Sequence, residues 1–203
     1  VGWIVKGNKK DFKFDAMASS YDEGFGGKLS KRFYELLLRQ ISVHDGAAVL
    51  DVGCGTGTIL KSLSARANID GYGIDAEENM ITEAQRKCPD MNILVADCAN
   101  TPFANDQFDA IVSCMAYHHF GDQTGFAKEA ARILKPGGYL YITDPRFPWI
   151  IRKPLNFAIR AHKVAGYFAT PREVEATFSE YGFELVDCAY DLYAQCVKLI
   201  KSP

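Results

Sequence analysis

The sequence predicts an α/β fold: a doubly wound, mostly parallel sheet closed by an antiparallel strand pair at its C-terminal end. Three observations predict it. Apolar runs of strand length recur at residues 47–52, 70–74, 93–96, 110–114 and 139–143, each bounded by turn residues. Runs such as AAVLDV and DAIVSC are apolar at consecutive positions, as strands covered on both faces must be. Segments with helical spacing of apolar residues alternate with them, and that alternation builds helices onto the faces of a parallel sheet.

Taken in order, residues 1–45 are expected to form an N-terminal helical cap, with a helix at 31–40 (KRFYELLLRQ). Helices are likewise predicted at 77–87 and 126–134, the latter stopped by Pro136-Gly137-Gly138, with a strand beginning directly after. Residues 146–168 mix apolar and basic side chains and read as an insertion after the fifth strand. A helix at 171–181 follows, with Thr170 as N-cap, Pro171 at its first position and Gly182 to end it. Two β-like runs, 183–190 and 192–200, separated by Asp191, supply the antiparallel pair.

Composition narrows the function. With 203 residues, 48% hydrophobic and 24% charged, the chain has the profile of one ordinary globular domain. A net charge of −2 and a pI near 6.1 give no overall attraction to a polyanion, so nucleic acid is not the expected partner. Cys54, Cys88, Cys98, Cys114, Cys188 and Cys196 show no zinc spacing and are expected to be reduced thiols in a cytoplasmic protein. No window approaches the ~20 apolar residues of a bilayer span. The lysine-rich start, despite Trp3, Ile4 and Val5, does not read as a signal peptide.

The chemistry concentrates at 50–57, LDVGCGTG, where the first strand ends. Gly53, Gly55 and Gly57 allow a tight turn and let a ligand approach bare backbone amides. The dinucleotide pattern G-x-G-x-x-G fails here, because its last place holds Thr58 counted from Gly53 and Leu60 counted from Gly55. Asp51, just ahead of the loop, favours a cationic ligand over a pyrophosphate. Asp75 ends the second strand beside the loop, where a carboxylate accepts from both hydroxyls of a ribose. Asp97 ends the third strand, within reach of an adenine amino group, with the Cys98 amide nearby.

Through LDVGCGTG, GIDAEENM, VADCANTPFANDQFDAIVSCMAYHHF and ILKPGGYLYITD, the chain resembles the class I S-adenosylmethionine-dependent methyltransferases. Within them it is similar to the branch of ubiquinone/menaquinone-biosynthesis C-methyltransferases and many small-molecule enzymes. The resemblance implies the Rossmann-like, seven-stranded methyltransferase fold, S-adenosylmethionine as cofactor, S-adenosylhomocysteine as product and a small-molecule acceptor. It implies that Gly53, Cys54, Gly55 and Gly57 hold the methionine part, that Asp75 and Ala76 meet the ribose end and that Met80 packs on the adenine read by Asp97. Ser113 and Met115 would line the sulfonium, and Tyr21 would fold over the cofactor from the N-terminal segment.

Several assignments have a second reading. His118, after the fourth strand, is the candidate catalytic base, or else it serves the loop backbone as a structural residue. Asp51, Asp75 and Asp97 have helix-cap or turn roles as alternatives. The 146–168 insertion reads as a substrate lid, as an amphipathic segment on a membrane surface, or as a helix pair with snorkelling basic residues. No acid or Asn accompanies Asp144, so no metal is expected. Ser113-Cys114-Met115-Ala116-Tyr117 lacks the Asn- or Asp-Pro-Pro-aromatic run of base-methylating enzymes, which leaves nucleic-acid methylation and a non-catalytic cofactor-binding module as the lesser alternatives.

Overall fold

A computed structural model describes residues 25–162 and 166–203. Tyr21, most of the expected N-terminal cap and three residues of the insertion lie outside them. The chain runs α1 Phe25–Gln40, β1 Ala48–Val52, α2 Thr58–Ser64, β2 Asp70–Asp75, α3 Glu78–Lys87, β3 Asn92–Val95, β4 Phe108–Cys114, α4 Gln123–Ile133 and β5 Leu134–Pro145. It continues through α5 Trp149–Ala161, α6 Pro171–Ser179, β6 Phe183–Asp191 and β7 Ala194–Lys201.

Seven strands form one sheet in the order β3-β2-β1-β4-β5-β7-β6. Pairs among β1 to β5 are parallel, whereas β7 runs antiparallel to both β5 and β6. The predicted fold class is therefore the observed one. Strand order reverses between β1 and β4, and a crevice opens at their carboxyl ends, where open α/β sheets bind ligands.

The consecutive apolar runs have their predicted cause. In β1, Val49 packs into a core shared with Phe33, Leu36 and Leu37 of α1 and Ile59 and Leu63 of α2. Its neighbours Leu50 and Val52 face the opposite core, where Phe126 and Ala130 of α4 meet Val174 and Phe178 of α6. The central strand β1 thus buries both of its faces.

Two boundaries differ from expectation. The Pro136-Gly137-Gly138 stop does not separate helix from strand: α4 ends at Ile133 and Leu134 already pairs with Phe108. Register then slips before Ala110 pairs with Tyr139. Pro136 brings no N–H to the ladder and Gly137 has φ 77, so the trio forms a bulge inside β5. The insertion, expected as a lid, an amphipathic membrane-surface segment or a helix pair, contains one described helix, α5, and a run without regular structure from 166 to 170.

That run is fastened tightly. The Asn156 amide of α5 donates to the Phe168 carbonyl and accepts from the Phe168 N–H, each at 3.0 Å. Thr170 caps α6 in a capping box with Glu173, and Glu173 also pairs with Arg152 of α5 at 2.7 Å.

Gly53 opens the turn after β1 at φ 74, and a Cβ there would lie 2.3 Å from the Cβ of Ala116, beyond the end of β4. Gly53→Ala should lower stability by about 2–4 kcal/mol, from left-handed backbone strain and overpacking together. Urea denaturation checks this, and a midpoint equal to wild type would contradict the packing described.

Candidate active site

The glycine loop is pinned to the neighbouring strand before any ligand is considered. The N–H groups of Gly53 and Cys54 both donate to the Ile74 carbonyl, at 2.8 and 2.9 Å. Gly55 N–H donates to Asp75 Oδ2 at 2.9 Å, while Glu77 N–H donates to Asp75 Oδ1 at 3.0 Å. Asp75 therefore joins the loop to the start of α3. Its two oxygens also meet the Ala76 amide, and a carboxylate has lone pairs beyond these three donors for a hydroxyl. Burial raises its pKa, against the lowering effect of these amides.

Gly55 has φ 50 and no atom within 4 Å of where its Cβ would be, so its backbone faces open space. Gly57 behaves differently. A Cβ there would sit 3.2 Å from Ala84, so this glycine packs α2 against α3 and is not part of the cavity wall. Lys87 steadies the loop from α3, donating to Thr56 Oγ1 at 2.9 Å and Thr58 Oγ1 at 3.0 Å.

A cavity of about 1000 Å³ lies at this edge. Its wall includes Asp51, Gly53, Cys54, Gly55, Asp75 and Ala76 from the first two strand ends. Met80, Asp97, Cys98, Met115 and His118 line it as well. Met80 is buried, and Asp97 is exposed with Oδ1 accepting the Ala99 N–H at 2.9 Å. Ser113 is not brought to the cavity: it is fully buried within β4, its Oγ without a hydrogen-bond partner among the described residues. The neighbouring Cys114 and Ala116 line the wall instead. Met115, a non-glycine residue at φ 59, holds a strained backbone at the cavity edge.

Asp51 has the most unusual environment. It is 2% exposed and receives no hydrogen bond among the described residues. Burial, reinforced by the charge of Asp75, pushes its pKa up to about 8. A buried acid without donors is stabilised by a cation placed beside it. The open backbone at Gly55, the spare lone pairs of Asp75 and this carboxylate fit a cationic nucleoside such as S-adenosylmethionine.

His118 lies across the cavity, in a single 3₁₀ turn, Tyr117–His119. Its Nδ1 is 2.9 Å from Asp144 Oδ1, and both side chains are buried. Its ring stacks on Phe168 at 4.9 Å between centroids. Tyr167 N–H donates to the His118 carbonyl at 2.9 Å, so the run from 166 to 170 braces the turn from both sides. His119 differs, because burial and the nearby His118 lower its pKa to about 4.

Sequence reasoning missed Asp144 as the partner of His118, along with Tyr34, Phe120, Ile159 and Phe168 in the wall. The Asp144 signal was present: β4 and β5 are parallel neighbours, so Asp144, ending β5, lies beside the turn that leaves β4. Cys54 stays a buried thiol whose pKa is raised by burial.

A doubly wound sheet with strand-end acids beside a glycine loop is an arrangement suited to a nucleoside at the carboxyl edge. The chain is similar to the class I S-adenosylmethionine-dependent methyltransferases, and within them to ubiquinone/menaquinone-biosynthesis enzymes. Residues 50–142 match the methyltransferase domain family Methyltransf_11. The ubiquinone/menaquinone biosynthesis C-methyltransferase UbiE of Geotalea daltonii is 30% identical over 158 residues, 70% of this chain and 66% of the relative. The demethylmenaquinone methyltransferase of Thermotoga maritima is 31% identical, with 64% of this chain and 59% of the relative covered. The chain thus spans roughly three fifths to two thirds of these two relatives. An uncharacterized methyltransferase of Anoxybacillus flavithermus is 29% identical across 93% of this chain and 96% of its own length.

Among solved structures, a chain from the complex of the Haloferax volcanii Trm112 methyltransferase activator with a methyltransferase shares the fold at TM-score 0.79 and 21% identity. The match covers 94% of this chain and 98% of that one. A methyltransferase dependent on S-adenosylmethionine from Aquifex aeolicus matches at TM-score 0.72 and 21% identity, over 92% and 98% of the two chains.

The raised Asp51 acid gives a pH dependence of definite sign. Its cost to the ligand-free fold sets in above the ordinary aspartate value of 3.8 and is complete above about 8, so stability falls across that window and Asp51→Asn flattens the fall. A cation favours the ionised form, so S-adenosylmethionine binding at pH 7 should release protons and tighten as pH approaches 8. Titration calorimetry in buffers of different ionisation enthalpy measures that release. Equal proton release by wild type and Asp51→Asn would remove Asp51 from the site.

Proposed function

We propose that the protein transfers a methyl group from S-adenosylmethionine to a small-molecule acceptor held between the glycine loop and His118. The observation that carries this reading is the desolvated Asp51 carboxylate on the same cavity as the buried His118–Asp144 pair. In this reading Asp51 and the loop from Gly53 to Gly55 hold the methionine part, Asp75 the ribose, and Met80, Asp97 and the Cys98 amide the adenine. Bound there, the cofactor supplies an electrophilic methyl on a sulfonium, and S-adenosylhomocysteine is released afterwards.

His118 is the base. Asp144 accepts from Nδ1–H and fixes the tautomer whose Nε2 carries the free lone pair, which takes the proton that the acceptor loses. Phe168 keeps the imidazole in plane, and Asn156 keeps Phe168 in place. Alignment of the acceptor supplies much of the remaining acceleration.

The relatives named for ubiquinone, menaquinone and demethylmenaquinone favour a small ring acceptor over a nucleic acid, as does the net charge of −2. Among the described residues no helix is long and apolar enough to cross a membrane. No group of three or more candidate metal ligands occurs among them either.

Equilibrium dialysis with radiolabelled S-adenosylmethionine tests the cofactor, and failure of folded protein to retain it would overturn the reading. Asp75→Ala should weaken binding by about 1–3 kcal/mol, the cost of unpaired polar partners. Once an acceptor is found by screening small aromatic metabolites for label transfer, His118→Ala should lower kcat by roughly 10²–10⁴-fold with cofactor affinity retained. Asp144→Asn should lower kcat with cofactor affinity retained. Turnover unchanged in both variants would leave the pair a structural role only.

A further inference from the structure

Helix α5 has two faces with opposite duties. Arg152, Asn156 and Ile159 turn inward, Arg152 to Glu173, Asn156 to Phe168 and Ile159 to the cavity wall. The outer face carries Trp149, Ile150, Ile151 and Phe157 at 69, 66, 51 and 75% exposure. Four large apolar side chains on one short helix exceed the scattered hydrophobics of an ordinary surface. Lys153 and Arg160 flank them, and Lys153 lies 5.7 Å from the Trp149 ring centroid.

Charge on this segment departs from the rest of the chain. Residues 146–170 contain Arg146, Arg152, Lys153, Arg160 and Lys163 and no Asp or Glu, within a protein of net charge −2. The acidic surplus therefore lies elsewhere, and the exposed apolar face is set in a purely cationic stretch.

We propose that the outer face of α5 is a docking surface for an anionic lipid bilayer. An interfacial helix combines large apolar side chains that enter the headgroup boundary with flanking cations that meet lipid phosphates. Charge complementarity singles out this occupant. A second copy meeting the same face would bring Lys153 and Arg160 against their own counterparts, with no acidic residue on the helix to offset them. Nucleic acid would engage the cations but leave Ile150 and Phe157 in water. Because Ile159 on the inner face lines the cavity, docking sets the cavity wall one helix thickness from the lipid surface. This surface goes beyond the proposed reaction and requires neither cofactor nor acceptor.

Trp149 serves as the reporter, since Trp3 is the only other tryptophan and Trp3→Phe removes its emission. The 203-residue Trp3→Phe protein is mixed with vesicles of phosphatidylcholine alone or with added phosphatidylglycerol, and both sedimentation and emission are read. We expect sedimentation with the anionic vesicles, a blue shift of Trp149, and release as salt is raised. Binding should fall about tenfold or more in Ile150→Ser/Phe157→Ser and in Lys153→Glu/Arg160→Glu, each retaining the parental urea midpoint. No sedimentation with anionic vesicles would overturn the proposal. So would variants that sediment like the parent, or a protein dimer without lipid that Ile150→Ser/Phe157→Ser abolishes. Failure of cofactor binding in dialysis would leave this result untouched, so the two readings fail separately.

Discussion

A carboxylate taken out of water, with no donor to it among the described residues, sits at the centre of the carboxyl edge. Asp51 is one residue from the end of β1, and its burial follows from the position of β1 in the middle of the sheet, between β2 and β4. The ligand-free fold meets this cost by protonation, which is why its pKa is pushed up to about 8. The turn that follows must be tight, and it is tied to Ile74 and Asp75 on β2 by backbone amides. Those contacts hold the loop open at Gly55, so the ligand-facing backbone exists before binding.

The opposite wall depends on the same edge but on different forces. His118 leaves β4 in a short turn and meets Asp144 at the end of β5 because the two strands are parallel neighbours. The bond to Asp144 fixes one edge of the imidazole, and packing sets the plane of the ring. Phe168 stacks on it, Asn156 grips both backbone groups of Phe168, and Glu173 joins Arg152 to the cap of α6. The segment inserted after β5 is therefore a brace for the candidate base on its inner side, while its outer side is free to serve association.

Much of the edge was legible in sequence because its signals are local. A strand ending in LDVGCGTG announces a glycine turn, and acids closing successive apolar runs must converge if the strands are parallel. Asp51, Gly53, Cys54, Gly55, Asp75, Ala76, Met80, Asp97, Cys98, Met115 and His118 all border one cavity. Gly57 and Ser113 do not, since one faces α3 and the other lies within the sheet. Residue spacing alone does not report which way a side chain at a strand end points. The β5 boundary failed for a related reason: Pro-Gly-Gly reads as a helix stop, yet pairing of Leu134 with Phe108 absorbs it as a bulge.

By itself the sequence determined the layers, the parallel sheet with its antiparallel close and the acids along one edge, because periodicity and turn chemistry act over a few residues. Tertiary structure decided the pairing of His118 with Asp144, the stacking by Phe168, the desolvation of Asp51 and the division of α5 into a bracing and an exposed face. Each of these joins segments distant along the chain, and their distances and burial exist only once strand order brings those segments together.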